Sequence, residues 1–174
     1  MHGAFIVGLK EMIINRFDEN FWTEILQDAD FEPDYHPISN HELEDAKALL
    51  LIKTATKKLN LGDRIFGETF GNYWIKNFAR EKYFAFFDAF KSSKDFINQL
   101  SEIHRKLTGN LQHPIPPVFE ITWESPHSAL IIYKSVRGLI HIAVGLLKAL
   151  GEYYNDEISV YRVENNGIKV FFKS

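Results

Sequence analysis

The chain has 174 residues, a length that suits one domain or two subdomains that share a core. Hydrophobic residues make up 45% and charged residues 25% of the sequence, which indicates a globular protein and argues against disorder. The net charge of −3 argues against general affinity for nucleic acid, and the absence of cysteine excludes disulfides, thiol nucleophiles and zinc–thiolate sites.

The first half of the chain predicts helices, because its apolar residues recur at helical spacing. The amino-terminal stretch is too short and too lightly charged for a signal peptide, and no apolar run approaches the length of a membrane span. A cytoplasmic protein without membrane insertion is therefore expected. Residues 31–39 contain two prolines and predict a loop. The predicted helices cover residues 1–17, 21–29, 41–59, 64–80 and 83–90.

The second half predicts one more long helix and then changes to the periodicity of strands. The helix covers residues 94–111, and Pro114, Pro116 and Pro117 end it. This order predicts an α+β fold, in which an amino-terminal helical subdomain precedes a carboxy-terminal subdomain with helices and a small four-stranded antiparallel sheet. The strands cover residues 118–124, 129–134, 157–163 and 168–173. A helix over residues 136–154 lies between the second strand and the third.

His104 differs from the other histidines because it lies on the apolar face of the helix predicted over residues 94–111. It continues a stripe that begins with Phe96 and Leu100. A core histidine that hydrogen-bonds a neighbour explains this position, since buried polar groups usually find a partner. A neutral imidazole that faces an apolar pocket is also what an axial haem ligand requires. The residues by themselves leave both interpretations open.

Three hydrogen-bond donors alternate at the end of the second predicted strand. Tyr133, Ser135 and Arg137 leave the backbone on one face, because side chains alternate along a strand. Two hydroxyls and a guanidinium at this spacing suit one or two carboxylates, since arginine can bind a carboxylate through two parallel hydrogen bonds. An ordinary strand end with a surface arginine explains the same pattern.

The sequence contains none of the common catalytic patterns. There is no nucleophile elbow, zinc-protease helix, phosphate-binding loop or dinucleotide-binding glycine motif. Carboxylates are numerous, but no pair stands out as a general acid and its base. The sequence therefore predicts a protein that is not an enzyme.

Five short motifs are spread over nearly the whole chain. They are Met1-His2-Gly3 with Leu9-Lys10, Phe70-Gly71, Glu102-Ile103-His104, Pro116-Pro117 and Tyr133-x-Ser135-x-Arg137. In this order they resemble the H-NOX family, the haem nitric oxide/oxygen-binding domains of bacterial gas sensors and soluble guanylate cyclases. Each motif is weak by itself, whereas the ordered set is specific.

The resemblance implies that haem b binds non-covalently between a helical subdomain of about residues 1–60 and an α+β subdomain of about residues 61–174. His104 would ligate the ferrous iron, and Pro117 would press on the macrocycle and distort it. The propionates would be held by Tyr133, Ser135 and Arg137. The distal side would be lined by Phe5, Leu9, Trp74, Phe78, Ile142 and Leu146.

The residue five positions after the motif arginine bears on the choice of gas. Family members that hold oxygen place a tyrosine there, and its hydroxyl stabilises the bound gas. This chain has Ile142 at that position, which cannot donate a hydrogen bond. The resemblance therefore implies binding of NO and CO, with little or no stable O₂ complex. A donor from Trp74 or Tyr73 is the alternative, and it would make the chain an O₂-binding sensor.

The resemblance also implies how a signal would arise. NO bound opposite His104 would weaken or break the bond between His104 and iron, and a partner would read the resulting shift of the subdomains. The chain carries no effector signature. It would act on another protein, which in this family is a histidine kinase or a diguanylate cyclase, or form the sensor end of a longer protein. A peroxidase-like haem enzyme and a haem-free interaction module are the remaining alternatives.

Overall fold

The computed structural model describes residues 1–109 and 115–173. Contacts within the chain divide it into two compact units. The first comprises Met1–Phe66, and the second comprises Gly67–Gly109 together with the chain from Pro116 onward. The predicted helix end at Leu111 and the predicted break at Pro114 lie outside the described residues. Within the described residues, no helix combines the length and the apolarity needed to cross a membrane.

The first unit is helical, as predicted. Helix α1 spans Gly3–Arg16, α2 spans Glu19–Asp28 and α3 spans Asp45–Lys58. Asp18 caps α2, because its carboxylate accepts a hydrogen bond from the Phe21 amide at 2.8 Å.

Helix α3 begins four residues later than the periodicity predicts. The backbone just before it pairs with the amino terminus: the amide of Gly3 donates to the carbonyl of His41 at 2.8 Å, and the amide of Leu43 donates to the carbonyl of Met1 at 2.9 Å. These bonds hold residues 41–43 in a non-helical conformation, so the predicted start at residue 41 is wrong.

The helices between α3 and the first strand are shorter and more broken than predicted. Helix α4 spans Asp63–Tyr73 and continues through a π-helical segment into α5, so the helix predicted over residues 64–80 is not a regular α-helix. The helix predicted over residues 94–111 is interrupted at Gln99 (φ −106°, ψ 6°). The π-helical segment and the remaining helices are Trp74–Ala79 (π), Arg80–Lys82 (α5), Phe84–Asp88 (α6), Ser93–Asn98 (α7), Leu100–Thr108 (α8) and Ile140–Tyr154 (α9).

Helix α9 starts at Ile140, after the predicted start at residue 136. Gly138 has a φ of +66°, a left-handed conformation that cannot continue a right-handed helix. The second strand, β2, spans Ser128–Lys134, and the residues between it and α9 form a turn that contains Ser135 and Arg137. The prediction that these two residues continue the strand alternation of Tyr133 is therefore wrong.

The four strands form one antiparallel sheet, as predicted, and the structure adds their order in it, which is β1-β2-β4-β3. Strands β3 and β4 are joined by a hairpin in which Asn165 and Asn166 both have a φ of 56°, the conformation that asparagine tolerates best among residues with a side chain. Strands β1 and β3 are the edges of the sheet. The strands are Val118–Ser125 (β1), Ser128–Lys134 (β2), Ile158–Val163 (β3) and Gly167–Phe172 (β4).

The inner face of the sheet packs against helices and forms the core of the second unit. Helices α4 and α9 approach so closely that a Cβ atom on Gly71 would lie 2.4 Å from the carbonyl carbon of Gly145. Only glycine permits this contact between backbones. Representative core residues from the helices and the sheet are Ile97, Ile103, Ile131, Leu147, Val160 and Val170.

Candidate functional site

The imidazole of His104 lies on α8 and is held by its own helix. Its Nδ1 atom is 2.8 Å from the carbonyl oxygen of Leu100, one turn earlier. A carbonyl can only accept, so Nδ1 carries the proton and donates, and Nε2 keeps its lone pair. Burial lowers the pKa of His104, while the hydrogen bond to Leu100 opposes this shift. The result is a neutral imidazole with one nitrogen fixed and the other able to ligate a metal.

A row of three aromatic rings connects α8 to the sheet. The His104 ring centroid is 5.1 Å from that of Phe119 on β1, and the Phe119 centroid is 5.5 Å from that of Tyr133 on β2. Phe119 and Tyr133 are also register partners in the β1–β2 pairing. The fold therefore packs both His104 and Tyr133 against one phenylalanine.

The structure brings Tyr133, Ser135 and Arg137 together at the end of β2. Burial raises the pKa of the Tyr133 hydroxyl; hydrogen bonds with the Ser135 side chain and the Leu139 backbone, and the charge of Arg137, oppose this shift. The Arg137 amide donates to the Ser135 hydroxyl oxygen at 3.2 Å. Two hydroxyls and a permanent cation thus converge, which suits a carboxylate ligand.

Pro117 lies in the segment that leads into β1 and is half-buried. It is two residues before Phe119, so it lies close in sequence to the middle ring of the three. Its fixed φ makes it a rigid element at this position.

The apolar residues proposed for the distal side belong to both units. In the first unit, Leu9 is fully buried in α1, and Phe5 on the same helix is half-buried. In the second unit, Phe78 and Ile142 are buried, and Trp74 and Leu146 are half-buried against its core. The Trp74 ring centroid lies 5.7 Å from that of Phe78.

A family model described as haem-NO-binding matches residues 2–162, which include every residue of the candidate site. The chain belongs to the haem-NO-binding (H-NOX) family. The resemblance deduced from the five motifs is therefore confirmed. Domains of this family are haem-based gas sensors that signal to effector proteins. Membership of the family therefore implies haem-based gas sensing for this chain.

Solved structures of the family share the fold over their whole length. An oxygen-binding H-NOX domain related to soluble guanylate cyclases is 18% identical, with a TM-score of 0.82, and the match covers 100% of this chain and 96% of that one. An H-NOX protein from S. oneidensis in the Fe(II)NO ligation state is 16% identical, with a TM-score of 0.86 and coverages of 99% and 98%. A mutant H-NOX from T. tengcongensis is 19% identical, with a TM-score of 0.85 and coverages of 100% and 98%. A comparison with curated protein sequences finds no match.

The residues of this H-NOX chain fit the cofactor of the family. His104 offers a single nitrogen, which is what a haem iron takes from one face, and the donor cluster at the end of β2 suits propionate carboxylates. Among the described residues, no group of three or more His, Cys, Asp or Glu side chains is placed to hold a metal ion.

Two residues beside His104, Phe119 and Ser101, are not predicted from the sequence. Phe119 carries the ring between His104 and Tyr133, and the Ser101 hydroxyl lies 3.1 Å from both the amide nitrogen and the carbonyl oxygen of Phe119. Ser101 is three residues before His104 and therefore lies on the same side of α8. This spacing is the one feature of the sequence that links Ser101 to the site. The pairing of α8 with β1 joins positions 18 residues apart, and periodicity does not reveal it.

Proposed function

We propose that this H-NOX chain senses NO and CO through a non-covalently bound haem b, with His104 as the axial ligand. The observation that carries the proposal is the state of His104, in which Nδ1 donates to Leu100 and Nε2 keeps its lone pair. The lowered pKa keeps the imidazole neutral and able to ligate at neutral pH. His104 would hold the haem iron, and the haem would supply the metal that binds a diatomic gas.

The polar cluster and the proline complete the proposed cofactor site. Tyr133, Ser135 and Arg137 would bind the propionates, with Arg137 supplying the charge and the hydroxyls supplying further hydrogen bonds. Pro117 would press on the macrocycle, because its ring is rigid and it precedes the strand that carries Phe119.

The choice of NO and CO over O₂ rests on Ile142. Its side chain is 4% exposed and cannot donate the hydrogen bond that stabilises bound O₂. The other residues proposed beside it on the distal side are Phe5, Leu9, Trp74, Phe78 and Leu146. An O₂ sensor that uses Trp74 or Tyr73 as the donor is the alternative.

The proposed signal is the weakening or loss of the bond between His104 and iron. Helix α8 carries His104, so release of the imidazole removes one of the restraints on this helix. A partner protein would read the change, and the family suggests a histidine kinase or a diguanylate cyclase in the cytoplasm. In this proposal the chain itself catalyses no reaction.

Absorption spectra of the reduced protein test the proposal, recorded without gas, with NO, with CO and in air. We expect a histidine-ligated haem band, a change with NO to the band of a haem that has lost its histidine, and no stable complex in air. An absent haem band after reconstitution would contradict haem binding. A stable complex in air would contradict the role of Ile142 and favour Trp74 or Tyr73.

Two variants make this test specific. His104→Gly should lose the histidine-ligated band, and an unchanged spectrum would disprove the ligand assignment. Ile142→Tyr introduces a hydroxyl at the position proposed to set the choice of gas, so this variant should retain O₂ in air for longer than the parent protein does.

A further inference from the structure

One edge of the sheet lies beside His104. Strand β1 is an edge strand, and its Phe119 faces Tyr133 on β2. The Tyr133 amide donates to Asn166 at 2.9 Å, on the side away from β1. Phe119 and Tyr133 therefore form a non-hydrogen-bonded pair, and the amide and carbonyl of Phe119 point outward from the sheet.

One side chain of α8 satisfies both of these outward-pointing groups. The Ser101 hydroxyl donates to the Phe119 carbonyl at 3.1 Å and accepts from the Phe119 amide at 3.1 Å. A hydroxyl can do both because it has one proton and two lone pairs. Ser101 thereby covers an edge position that would otherwise be open to water or to another strand.

Ser101 and His104 contact the same residue of β1 from successive turns of one helix. Ser101 bonds the backbone of Phe119, and the His104 ring packs against the Phe119 ring at 5.1 Å. The residues are three apart, so they lie on neighbouring points of one helix face. Both residues therefore attach the same part of α8 to Phe119.

The hydroxyl of Ser101 differs from the other polar side chains of α8 in the element to which it bonds. The other polar side chains of this helix bond within it: His104 to Leu100, Arg105 to Glu102, and Thr108 to the His104 carbonyl. Among the described residues, Ser101 is thus the one α8 side chain with hydrogen bonds to another element.

Helix α7 is attached to the sheet independently of α8. The Lys94 ammonium donates to the Pro126 carbonyl at 2.7 Å, and Asn98 accepts from the Trp123 indole at 2.8 Å. The break at Gln99 separates this attachment from α8. A displacement of α8 can therefore leave α7 in place, and the hydrogen bonds to the sheet that it would break are those between Ser101 and Phe119.

We propose that Ser101 is a positioning residue for His104, which fixes α8 on the edge of β1 and opposes release of the imidazole from iron. The inference rests on the proposed function, because it assigns Ser101 a role in how firmly His104 holds its ligand. Removing the hydroxyl should weaken the bond to iron and speed the departure of His104 when NO binds.

The experiment uses the reduced, haem-loaded protein and compares Ser101→Ala with the parent. Stopped-flow absorption after mixing with NO follows the loss of the histidine ligand, and we expect a roughly tenfold faster loss in the variant, the factor that one or two lost hydrogen bonds supply. Resonance Raman spectra of the gas-free protein should show a shifted iron–histidine stretching band, which general destabilisation would not produce.

Matched variants separate this role from a purely structural one. Ser101→Thr keeps the hydroxyl and should restore the parental rate and band. Arg105→Gln removes an exposed pair with Glu102 that lies within α8, and it should change neither. If Ser101→Ala fails to fold, Ser101→Cys keeps the size with a weaker donor and should give an intermediate rate.

The outcomes distinguish the two proposals. A parent protein without a histidine-ligated haem would overturn the proposed function and this inference with it. A parent protein that loses its histidine ligand with NO, combined with an unchanged rate and band in Ser101→Ala, would overturn the role of Ser101 and leave the sensor function standing.

Discussion

At the scale of single residues, the protonation of His104 links the site to the stability of the chain. Burial lowers the pKa of His104 below its usual 6.5, so the unfolded chain binds a proton more readily than the folded one. The stability that follows from the neutral imidazole is fully present above pH 6.5 and is lost as the pH falls through the lowered pKa.

Denaturant unfolding of the haem-free protein at a series of pH values measures this effect. The free energy of unfolding should fall on acidification below about pH 6.5, the unperturbed value for histidine. It should fall less steeply in His104→Gln, which keeps a polar side chain of similar size but does not titrate. His2, whose pKa burial also lowers, contributes in the same direction in both proteins and cancels in the comparison. Parallel curves would show that His104 does not titrate differently on folding.

At the scale of elements, the crossing of α4 and α9 depends on glycine. Gly71 and Gly145 bring the two backbones into contact, and a Cβ at position 71 would lie 2.4 Å from atoms of the α9 backbone. Backbone cannot rotate out of the way as a flexible side chain can, so the helices must separate. The motif Phe70-Gly71, which the sequence presents only as a family landmark, therefore has a packing reason.

Gly71→Ala should destabilise the protein. Overpacking costs about 1–3 kcal/mol, and a backbone clash lies at the upper end of that range, whereas alanine gains at most about 1 kcal/mol in helix propensity. The control is Gly62→Ala, because a Cβ at position 62 meets nothing within 4 Å, and its effect should stay within about 0.5 kcal/mol. Thermal or denaturant unfolding of both variants decides the matter, and equal stabilities would contradict a tight crossing.

The same scale shows which elements periodicity predicts well. Helices α1 and α2 and all four strands lie close to their predicted positions, because each presents a regular apolar face or a turn signal to its neighbours. The interruptions at Gln99 and before α9, and the π-helical segment after Tyr73, were missed. The late start of α9 follows from the left-handed backbone at Gly138, whereas the breaks at Gln99 and after Tyr73 lie inside regular apolar patterns that give no sign of them.

At the scale of the whole molecule, haem binding should stabilise the folded chain. A ligand that binds only the folded state adds about 2.7 kcal/mol to the free energy of unfolding when its free concentration is 100 times its Kd. Calorimetry of the protein with and without haem should show a higher midpoint for the loaded form. The increase should be smaller in His104→Gly, which loses the iron ligand. An identical midpoint with and without haem would argue against specific binding.

The sequence by itself determined the order of the elements, the α+β class and the membership of the H-NOX family. These follow from local periodicity and from short motifs whose order along the chain can be read directly. The roles of His104, Tyr133, Ser135 and Arg137 stay predictions, and the strand alternation expected of the last three ends at Lys134, where β2 ends.

Only the tertiary structure decided which backbones meet. It placed Ser101 on the outward-pointing groups of Phe119, packed the His104 ring against the Phe119 ring, and brought Gly71 against Gly145. The physical reason is that hydrophobic periodicity specifies which face of an element is buried but carries no information about the partner that covers it. That choice is made when edge strands, helix ends and small residues find complementary groups far away in the chain.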